Sequence, residues 1–285
     1  MQEALSLRSA LKDRQRRQAL LQELYTDPEL ADNLLEILLH LQGYNNPQNG
    51  RFSGEHFFVT TVLPRLGVRH CLDVGAAQGQ YSRLLLNALP QCRVAAFEPL
   101  PLNRPILEDL EQRHSQRFQL FPYALGAVAA EGSLHYESAR PQLATLCEGL
   151  EAIEYLANDQ VVSVPIRRLD DCWLPAADRP PIDFIKIDSE GWEAEILDGA
   201  AETLQQCRPL AIQLEFNRHH LFRGHTFLSL ARCLPGYGVF QLLPERLVQR
   251  DPAAPLTNLF QFSNFAFIRD DQIEAVLPLV LPLIR

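Results

Sequence analysis

Acidic side chains follow directly on an apolar stretch in the middle of the chain. The segment DFIKIDSEGWE, residues 183–193, begins with residues typical of a buried strand and then contains Asp188, Glu190 and Glu193. Ligands of open α/β sheets bind beyond the carboxyl ends of the strands, so we expect these carboxylates to line a cleft. There a carboxylate can take a proton from a reacting group, hold an ammonium group or bind a divalent cation.

A second polar group follows a later apolar stretch, at residues 210–216. Glu215 lies near its end, and Asn217, His219 and His220 come next. If the two stretches are neighbouring parallel strands, their ends meet and the polar groups surround one cleft.

Three of these residues are candidates for catalysis. Asp188 is the first choice to face the reacting atoms, as a base or as the holder of an amino group. Glu190 is the second, although a loop acid can equally cap the following helix. His219 is the third, with an ordinary loop side chain as its alternative. Three acids near one cleft could also hold Mg²⁺, but we assign no metal ligand.

A glycine turn follows an earlier apolar run. In LDVGAAQGQY, residues 72–81, Gly75 and Gly79 flank a turn, containing Ala76, in which a ligand can lie on the backbone. Glu98 ends the next apolar run, 23 residues after Gly75, about where an acid meets the ribose hydroxyls in nucleotide-binding folds. Its alternative is a surface carboxylate. Together the two features predict an adenosine ligand, either S-adenosylmethionine or NAD.

The spacing of the glycines and one further acid favour the first of these ligands. The turn reads Gly-xxx-Gly, without the Gly-x-Gly-x-x-Gly pattern that brings a pyrophosphate to a helix N-terminus. Asp73, just inside the turn, suits the ammonium of S-adenosylmethionine better than it suits a pyrophosphate. Alternatively, Asp73 accepts hydrogen bonds from the backbone of the turn.

The elements that carry these residues alternate between strand and helix. Apolar runs predict strands at residues 70–74, 93–97, 118–123, 183–188 and 210–216, with helical periodicity between several of them. This pattern predicts an α/β fold with a doubly wound, mostly parallel sheet. Residues 132–137 and 161–169 are predicted to be an inserted pair of strands. Residues 238–243 and 264–268 are predicted to form an antiparallel hairpin at the far edge.

The N-terminal residues predict a small helical segment. Residues 1–42 read as helix, with Asp27 as a cap, Pro28 in the first turn and an apolar stripe behind it. We predict a helical cap over residues 1–45 and a main domain over residues 46–285. The stripe packs on that domain or on a second subunit, which would make the protein a homodimer.

Composition excludes several classes of protein. A net charge of -9 leaves no broad cationic face for nucleic acid. The six cysteines form no CxxC pair, which argues against an ordinary zinc site or a disulfide framework. Neither a signal peptide nor a membrane span is predicted. We therefore expect a reduced cytoplasmic protein.

The complete pattern resembles FkbM-type methyltransferases. The matching segments, in order, are LDVGAAQGQYS (72–82), AFEP (96–99), ALG (124–126), VPIRRLDD (164–171), DFIKIDSEGWEAEILDGA (183–200) and RPLAIQLEF (208–216). The resemblance implies a class I methyltransferase (Rossmann-like) sheet, S-adenosylmethionine as methyl donor and a hydroxyl acceptor, often on a sugar, glycan or natural product.

The resemblance also assigns positions in this chain. It implies that Gly75, Ala76 and Gly79 form the donor-binding turn, that Glu98 binds the ribose, and that Tyr123 and Ala124 lie beside the adenine. Residues 127–163 have little counterpart in the family, so we expect acceptor specificity there.

We therefore predict an S-adenosylmethionine-dependent O-methyltransferase with a small-molecule or glycan acceptor. An NAD-dependent oxidoreductase is the alternative enzyme, disfavoured by the glycine spacing and by the absence of a Tyr-xxx-Lys pattern. A non-catalytic binding protein is the third hypothesis. A chain without activity has no physical need for these glycines and acids together.

Overall fold

The computed structural model of the protein describes residues 13–46, 50–174 and 179–281. The chain divides into two units, one ending at Asn45 and the other beginning at Asn46. None of the helices in the described ranges has the length and apolar character needed to cross a bilayer.

The first unit contains two helices, α1 (Arg14–Thr26) and α2 (Pro28–Leu41). The predicted cap is confirmed, because an oxygen of Asp27 accepts a hydrogen bond of 3.0 Å from the backbone N–H of Leu30. The part of the predicted helix at residues 1–12 lies outside the described residues. That these helices join two copies of the chain stays a prediction.

The described residues of the second unit form eleven strands. In chain order they are β1 (His70–Val74), β2 (Arg93–Phe97), β3 (Phe118–Phe121), β4 (Ala124–Leu125), β5 (Ala130–Tyr136), β6 (Gln160–Arg167), β7 (Phe184–Ile187), β8 (Ala211–Phe216), β9 (Tyr237–Leu243), β10 (Arg246–Gln249) and β11 (Ser263–Arg269). Eight of them form one sheet in the order β10-β9-β11-β8-β7-β1-β2-β3. Neighbours from β8 to β3 are parallel. The predicted doubly wound, mostly parallel sheet is confirmed.

The antiparallel edge differs in detail from the prediction. β11 pairs antiparallel with β9, as expected, but it lies between β9 and β8 rather than at the edge. The edge hairpin is formed by β9 and β10. β10 was not predicted, because its four residues with charged neighbours carry no clear apolar alternation.

Helices and short turns cover the sheet. They are α3 (Glu55–Phe57), a π-helical turn (Phe58–Val62), α4 (Leu63–Leu66), α5 (Gln80–Ala88), α6 (Arg104–Arg113), α7 (Leu169–Trp173), α8 (Glu193–Gly199), α9 (Ala201–Cys207), α10 (His219–Arg223), α11 (Phe227–Arg232) and α12 (Ile273–Val276), with 3₁₀ turns at Pro141–Leu143, Pro255–Asn258, Asp270–Gln272 and Leu277–Leu279. Phe58, Leu63, Leu85 and Phe184 are fully buried in the core between them.

The inserted region forms a small sheet of its own. β5 and β6 pair antiparallel, as the sequence predicted, and β4 adds to β6 in parallel. The segment between β5 and β6 contains the Pro141–Leu143 turn, which returns toward the carboxyl ends of the main sheet.

The ends of β1 and β7 approach each other closely at one glycine. Gly75 follows β1 with φ 79°, and a Cβ atom added there would lie 1.8 Å from the carbonyl oxygen of Asp188. The backbone N–H of Asp188 in turn donates to Val74 O at 3.0 Å. Glycine is therefore required at this position both by its backbone conformation and by the contact.

Alanine substitutions at Gly75 and Gly67 separate the requirement for a left-handed backbone from the requirement for close contact with Asp188. Gly67 has a similar φ of 72° but no atom within 4 Å of its added Cβ, so Gly67→Ala tests the backbone conformation alone. We expect Gly67→Ala to lower the free energy of unfolding by about 1–2 kcal/mol. Gly75→Ala should lower it by about 2–5 kcal/mol, because the overlap adds to the strain. Urea denaturation of both variants measures the difference, and equal losses would contradict the contact.

Candidate active site

Two adjoining cavities open at the carboxyl ends of the parallel strands. We call the first the Glu98 cavity; its lining includes Phe97, Glu98, Leu125, Trp192 and Ile196. We call the second the Lys186 cleft; its lining includes Arg51, Glu55, Gln78, Tyr81 and Lys186. Both are lined by Gly75, Ala77, Gln142, Asp188 and Glu190. These five residues mark the junction of the two cavities.

The glycine turn connects this junction to the acid at the end of β2. Ala76 is buried and lines the Lys186 cleft. Ala77 has a left-handed φ of 47°, which turns its backbone N–H toward Glu98 at 2.7 Å from Oε2. The turn and the acid are thus one hydrogen-bonded unit.

Glu98 is a buried carboxylate with one acceptor position left. It is 7% exposed, and its Oε1 accepts from Leu100 N at 2.8 Å and from Asn103 Nδ2 at 3.3 Å. With the bond from Ala77, three of about four lone pairs are used, so Oε2 can accept one more hydrogen bond. Burial raises the pKa of Glu98 to about 7, against the lowering effect of these donors.

Two residues predicted to bind the donor lie behind the turn and outside both linings. Asp73 is 0% exposed and accepts from Ser82 Oγ on α5 at 2.6 Å, a side-chain partner rather than the backbone of the turn that the alternative reading expected. Burial raises its pKa, while Lys186 and Ser82 lower it. Gly79 faces α6, and a Cβ there would lie 2.9 Å from a methyl of Leu107. Gly79 therefore serves helix packing.

Of the two residues predicted to lie beside the adenine, Ala124 lines the Glu98 cavity and Tyr123 does not. Tyr123 points away from it: the ring packs edge-on against Phe97 and Phe121, and the guanidinium of Arg167 lies 4.5 Å from its centre. The sequence could not reveal this, because the chain leaves the strand pattern after Phe121 and side-chain alternation no longer applies.

Asp188 is held by a buried lysine. Lys186 Nζ lies 2.7 Å from Asp188 Oδ2, and the ammonium sits 4.8 Å from the centre of the Tyr81 ring. Burial lowers the pKa of Lys186, but the neighbouring carboxylates outweigh it and the pKa is raised. The pair fixes the position of the Asp188 carboxylate at the junction.

Glu190 reaches the junction from a strained loop. Its φ of 53° and the φ of 98° at Gly191 form the turn after β7, and Thr145 Oγ1 donates to Glu190 O at 2.8 Å. Its Oε2 lies 3.0 Å from His219 Nδ1 and 3.2 Å from Asn217 Nδ2. Burial raises the pKa of Glu190, while His219 lowers it.

His219 does not reach either cavity. Its side chain is fully buried behind Glu190, and the ring of Tyr155 meets it edge-on at 6.3 Å between ring centres. The predicted catalytic histidine is thus placed as a support for the Glu190 carboxylate.

Glu190 does not cap the following helix, whose N-cap is Trp192 without a side-chain hydrogen bond, and Glu193 instead fixes the loop before it. One oxygen of Glu193 accepts from Ser189 N at 2.8 Å and from Ser189 Oγ at 3.0 Å. The other oxygen lies 2.9 Å from His220 Nε2. Burial raises the pKa of Glu193, but His220 and the Ser189 donors outweigh it, and the net direction is down.

Asp188, Glu190 and Glu215 form an acid cluster. Each brings one oxygen within 4.8 Å of the others. Burial raises the pKa of Glu215 strongly, and Asn217 donates to both Glu190 and Glu215. Acid clusters of this kind are common without an ion, so this arrangement alone assigns no magnesium.

Ala77, Gln142 and Glu55 are among the cavity residues that were not predicted from the sequence. Ala77 could not be recognised from the sequence, because an alanine gives no indication that its backbone is left-handed. Gln142 lies in the inserted region, and Glu55 lies in a short helix before β1. Both are polar residues without a diagnostic spacing, so only the tertiary structure brings them to the cleft.

Comparison with known proteins identifies the family to which this chain belongs. Residues 73–240, more than half of the chain, match the family described as Methyltransferase FkbM domain. The 2-O-methyltransferase NoeI of Sinorhizobium fredii is 27% identical over 187 residues, which are 61% of this chain and 70% of that protein.

Solved structures show weaker similarity. A methyltransferase FkbM from Methylobacillus flagellatus has 17% identity and a TM-score of 0.44, and the match covers 70% of this chain but only 43% of that one. An O-methyltransferase from Bacillus cereus in complex with SAH has 13% identity and a TM-score of 0.42, with 88% and 97% of the two chains covered. The assignment depends on the sequence match and on the sheet order with its antiparallel edge. This chain has a class I methyltransferase fold and belongs to the FkbM methyltransferase family.

Proposed function

We propose that this protein transfers a methyl group from S-adenosylmethionine to a hydroxyl oxygen of a sugar, glycan or natural product. The observation that carries the proposal is the position of Glu190 at the junction of the two cavities, with His219 and Asn217 behind it. A methyl donor in the Glu98 cavity and an acceptor in the Lys186 cleft would meet at this carboxylate.

The residues present fit such a donor. The backbone of the Gly75 turn lines both cavities, and Glu98 keeps one acceptor position for a ribose hydroxyl. Asp188 suits an ammonium group. A nicotinamide dinucleotide fits less well, because the Ala77 N–H already binds a carboxylate, which would repel a pyrophosphate.

The acceptor oxygen needs a base. S-adenosylmethionine, when bound, supplies an electrophilic methyl group on a sulfonium. An alcohol is a weak nucleophile, and a positioned base that takes its proton contributes about 10²–10⁴-fold. Burial raises the pKa of Glu190, which makes it a stronger base than an ordinary carboxylate, and His219, with Nδ1 3.0 Å from Oε2, holds the carboxylate in place. Asp188 is already paired with Lys186 Nζ at 2.7 Å, so we assign it to the donor's amino group.

The relative named as a 2-O-methyltransferase supports an oxygen acceptor. The polar lining of the Lys186 cleft, with Arg51, His56, Gln142 and Lys186, suits a small hydroxylated molecule. The negative net charge of the chain is consistent with an acceptor other than nucleic acid.

Calorimetric titration with S-adenosylhomocysteine, with NAD⁺ in parallel, tests the donor class. We expect micromolar binding of the former and none of the latter. Binding of NAD⁺ alone would support the oxidoreductase hypothesis, and binding of neither would support a non-catalytic protein.

Donor binding should weaken as the pH falls. An ionised Glu98 accepts hydrogen bonds at both oxygens, and its pKa in the free protein is about 7. Protonation therefore competes with the donor, and the dissociation constant of S-adenosylhomocysteine should rise about tenfold from pH 8 to pH 6. In Glu98→Gln binding should be weaker at pH 8 and nearly independent of pH. A retained pH dependence in that variant would assign the effect to another group.

Glu190→Gln and Asp188→Asn should affect different steps. Loss of the base should lower kcat of Glu190→Gln by about 10²–10⁴-fold while the affinity for S-adenosylhomocysteine changes little. Asp188→Asn should chiefly weaken donor binding. The assay is transfer of a deuterated methyl group to methyl glycosides, measured by mass spectrometry, with calorimetry for the donor. Near-normal turnover in Glu190→Gln would remove Glu190 from its proposed role.

A further inference from the structure

We propose that Glu55 binds the acceptor, by accepting a hydrogen bond from a hydroxyl group other than the one that is methylated. The inference rests on the proposed function, because it takes the Lys186 cleft as the acceptor site. It assigns a residue outside the matched family segment, which spans residues 73–240. The ligand class that follows is a polyol with at least two hydroxyl groups within reach of Glu55 and Glu190.

The backbone before Glu55 is fixed against the sheet. Gly54 has a φ of 85°, and a Cβ added to it would lie 2.7–2.9 Å from backbone atoms of Leu242 and Leu243. Glu55 then begins α3, and the following Phe58 and Val59 are fully buried. This part of the chain is therefore held in place before any ligand binds.

Buried polar side chains orient the carboxylate. Its Oε1 accepts from Gln213 Nε2 at 3.0 Å, and its Oε2 is 3.0 Å from the hydroxyl of Ser53. Gln213 is itself fixed by the hydroxyl of Tyr81 and by Asn264 Oδ1. These bonds use about two of the four lone pairs of the carboxylate, which leaves acceptor capacity at the wall of the cleft.

Its place in the cleft separates Glu55 from the donor. Glu55 lines the Lys186 cleft and is not part of the Glu98 cavity lining, whereas Asp188 and Glu190 line both. A carboxylate accepts hydrogen bonds from hydroxyl groups, and bonds to charged groups are the stronger ones. Glu55 therefore favours a hydroxylated acceptor and distinguishes it from a molecule with one hydroxyl group.

A purely structural role of Glu55 predicts a different result from acceptor binding. If Glu55 only supported Gln213, its replacement would lower stability and disturb donor and acceptor together. If it binds the acceptor, Glu55→Gln should change KM for the acceptor and leave donor affinity intact. Glu55→Asp, which keeps the charge on a shorter side chain, should recover part of the loss.

The experiment uses the full chain with methyl α-D-glucopyranoside, methyl α-D-galactopyranoside and methyl α-D-mannopyranoside as acceptors. For the sugar that the unmodified protein methylates, Glu55→Gln should raise KM about ten- to hundredfold. Calorimetry should give an unchanged dissociation constant for S-adenosylhomocysteine. Glu98→Gln is the matched control, with weaker donor binding and an unchanged acceptor KM.

Deoxy analogues of the same sugar identify the hydroxyl group. With the unmodified protein, one monodeoxy analogue should show the same rise in KM as Glu55→Gln shows with the parent sugar. On that analogue, Glu55→Gln should raise KM no further. An unchanged KM, a parallel fall in donor affinity, or additive losses on every analogue would overturn the proposal. Failure of the unmodified protein to methylate any of the sugars would instead count against the sugar acceptor of the proposed function.

Discussion

The ammonium group of Lys186 is the charge on which the arrangement of the site depends. It lies in the middle of the sheet, 5% exposed, with Asp188 as its direct partner and with Asp73 and Glu55 close enough to raise its pKa. The same cation lowers the pKa of Glu55 and Asp73 against the effect of their burial. Without Lys186, the carboxylates of Asp188, Asp73 and Glu55 would lose the buried cation that offsets their desolvation. Uncompensated buried charge is strongly destabilising.

A second layer of imidazoles and amides supports the carboxylates from behind. His220 faces Glu193, His219 faces Glu190, and Asn217 joins Glu190 to Glu215. Glu190 in the loop and Glu193 at the start of α8 have pKa values that move in opposite directions, because burial dominates at Glu190 whereas His220 and Ser189 outweigh burial at Glu193. Such a separation is how a protein assigns one carboxylate to structure and leaves another able to accept a proton.

The inserted region encloses the site as well as extending the fold. Its residues Pro141, Ala144 and Leu146 line the Glu98 cavity, and Gln142 lines both cavities. The sequence led us to expect acceptor specificity there. In the structure the region forms part of the wall of the Glu98 cavity and reaches the Lys186 cleft through Gln142.

The sequence by itself determined the parallel strands, the inserted pair and the strand ends at which Gly75, Glu98, Asp188 and Glu190 stand, because periodicity and turn chemistry are local properties. It could not determine which side chains face the cavities. Asp73 and His219 lie outside both cavity linings, Tyr123 points away, and Glu55 meets Gln213 across 158 positions of the chain. Those outcomes depend on side-chain direction outside regular strands and on contacts between distant segments. Both are fixed only when the sheet and its covering helices pack together.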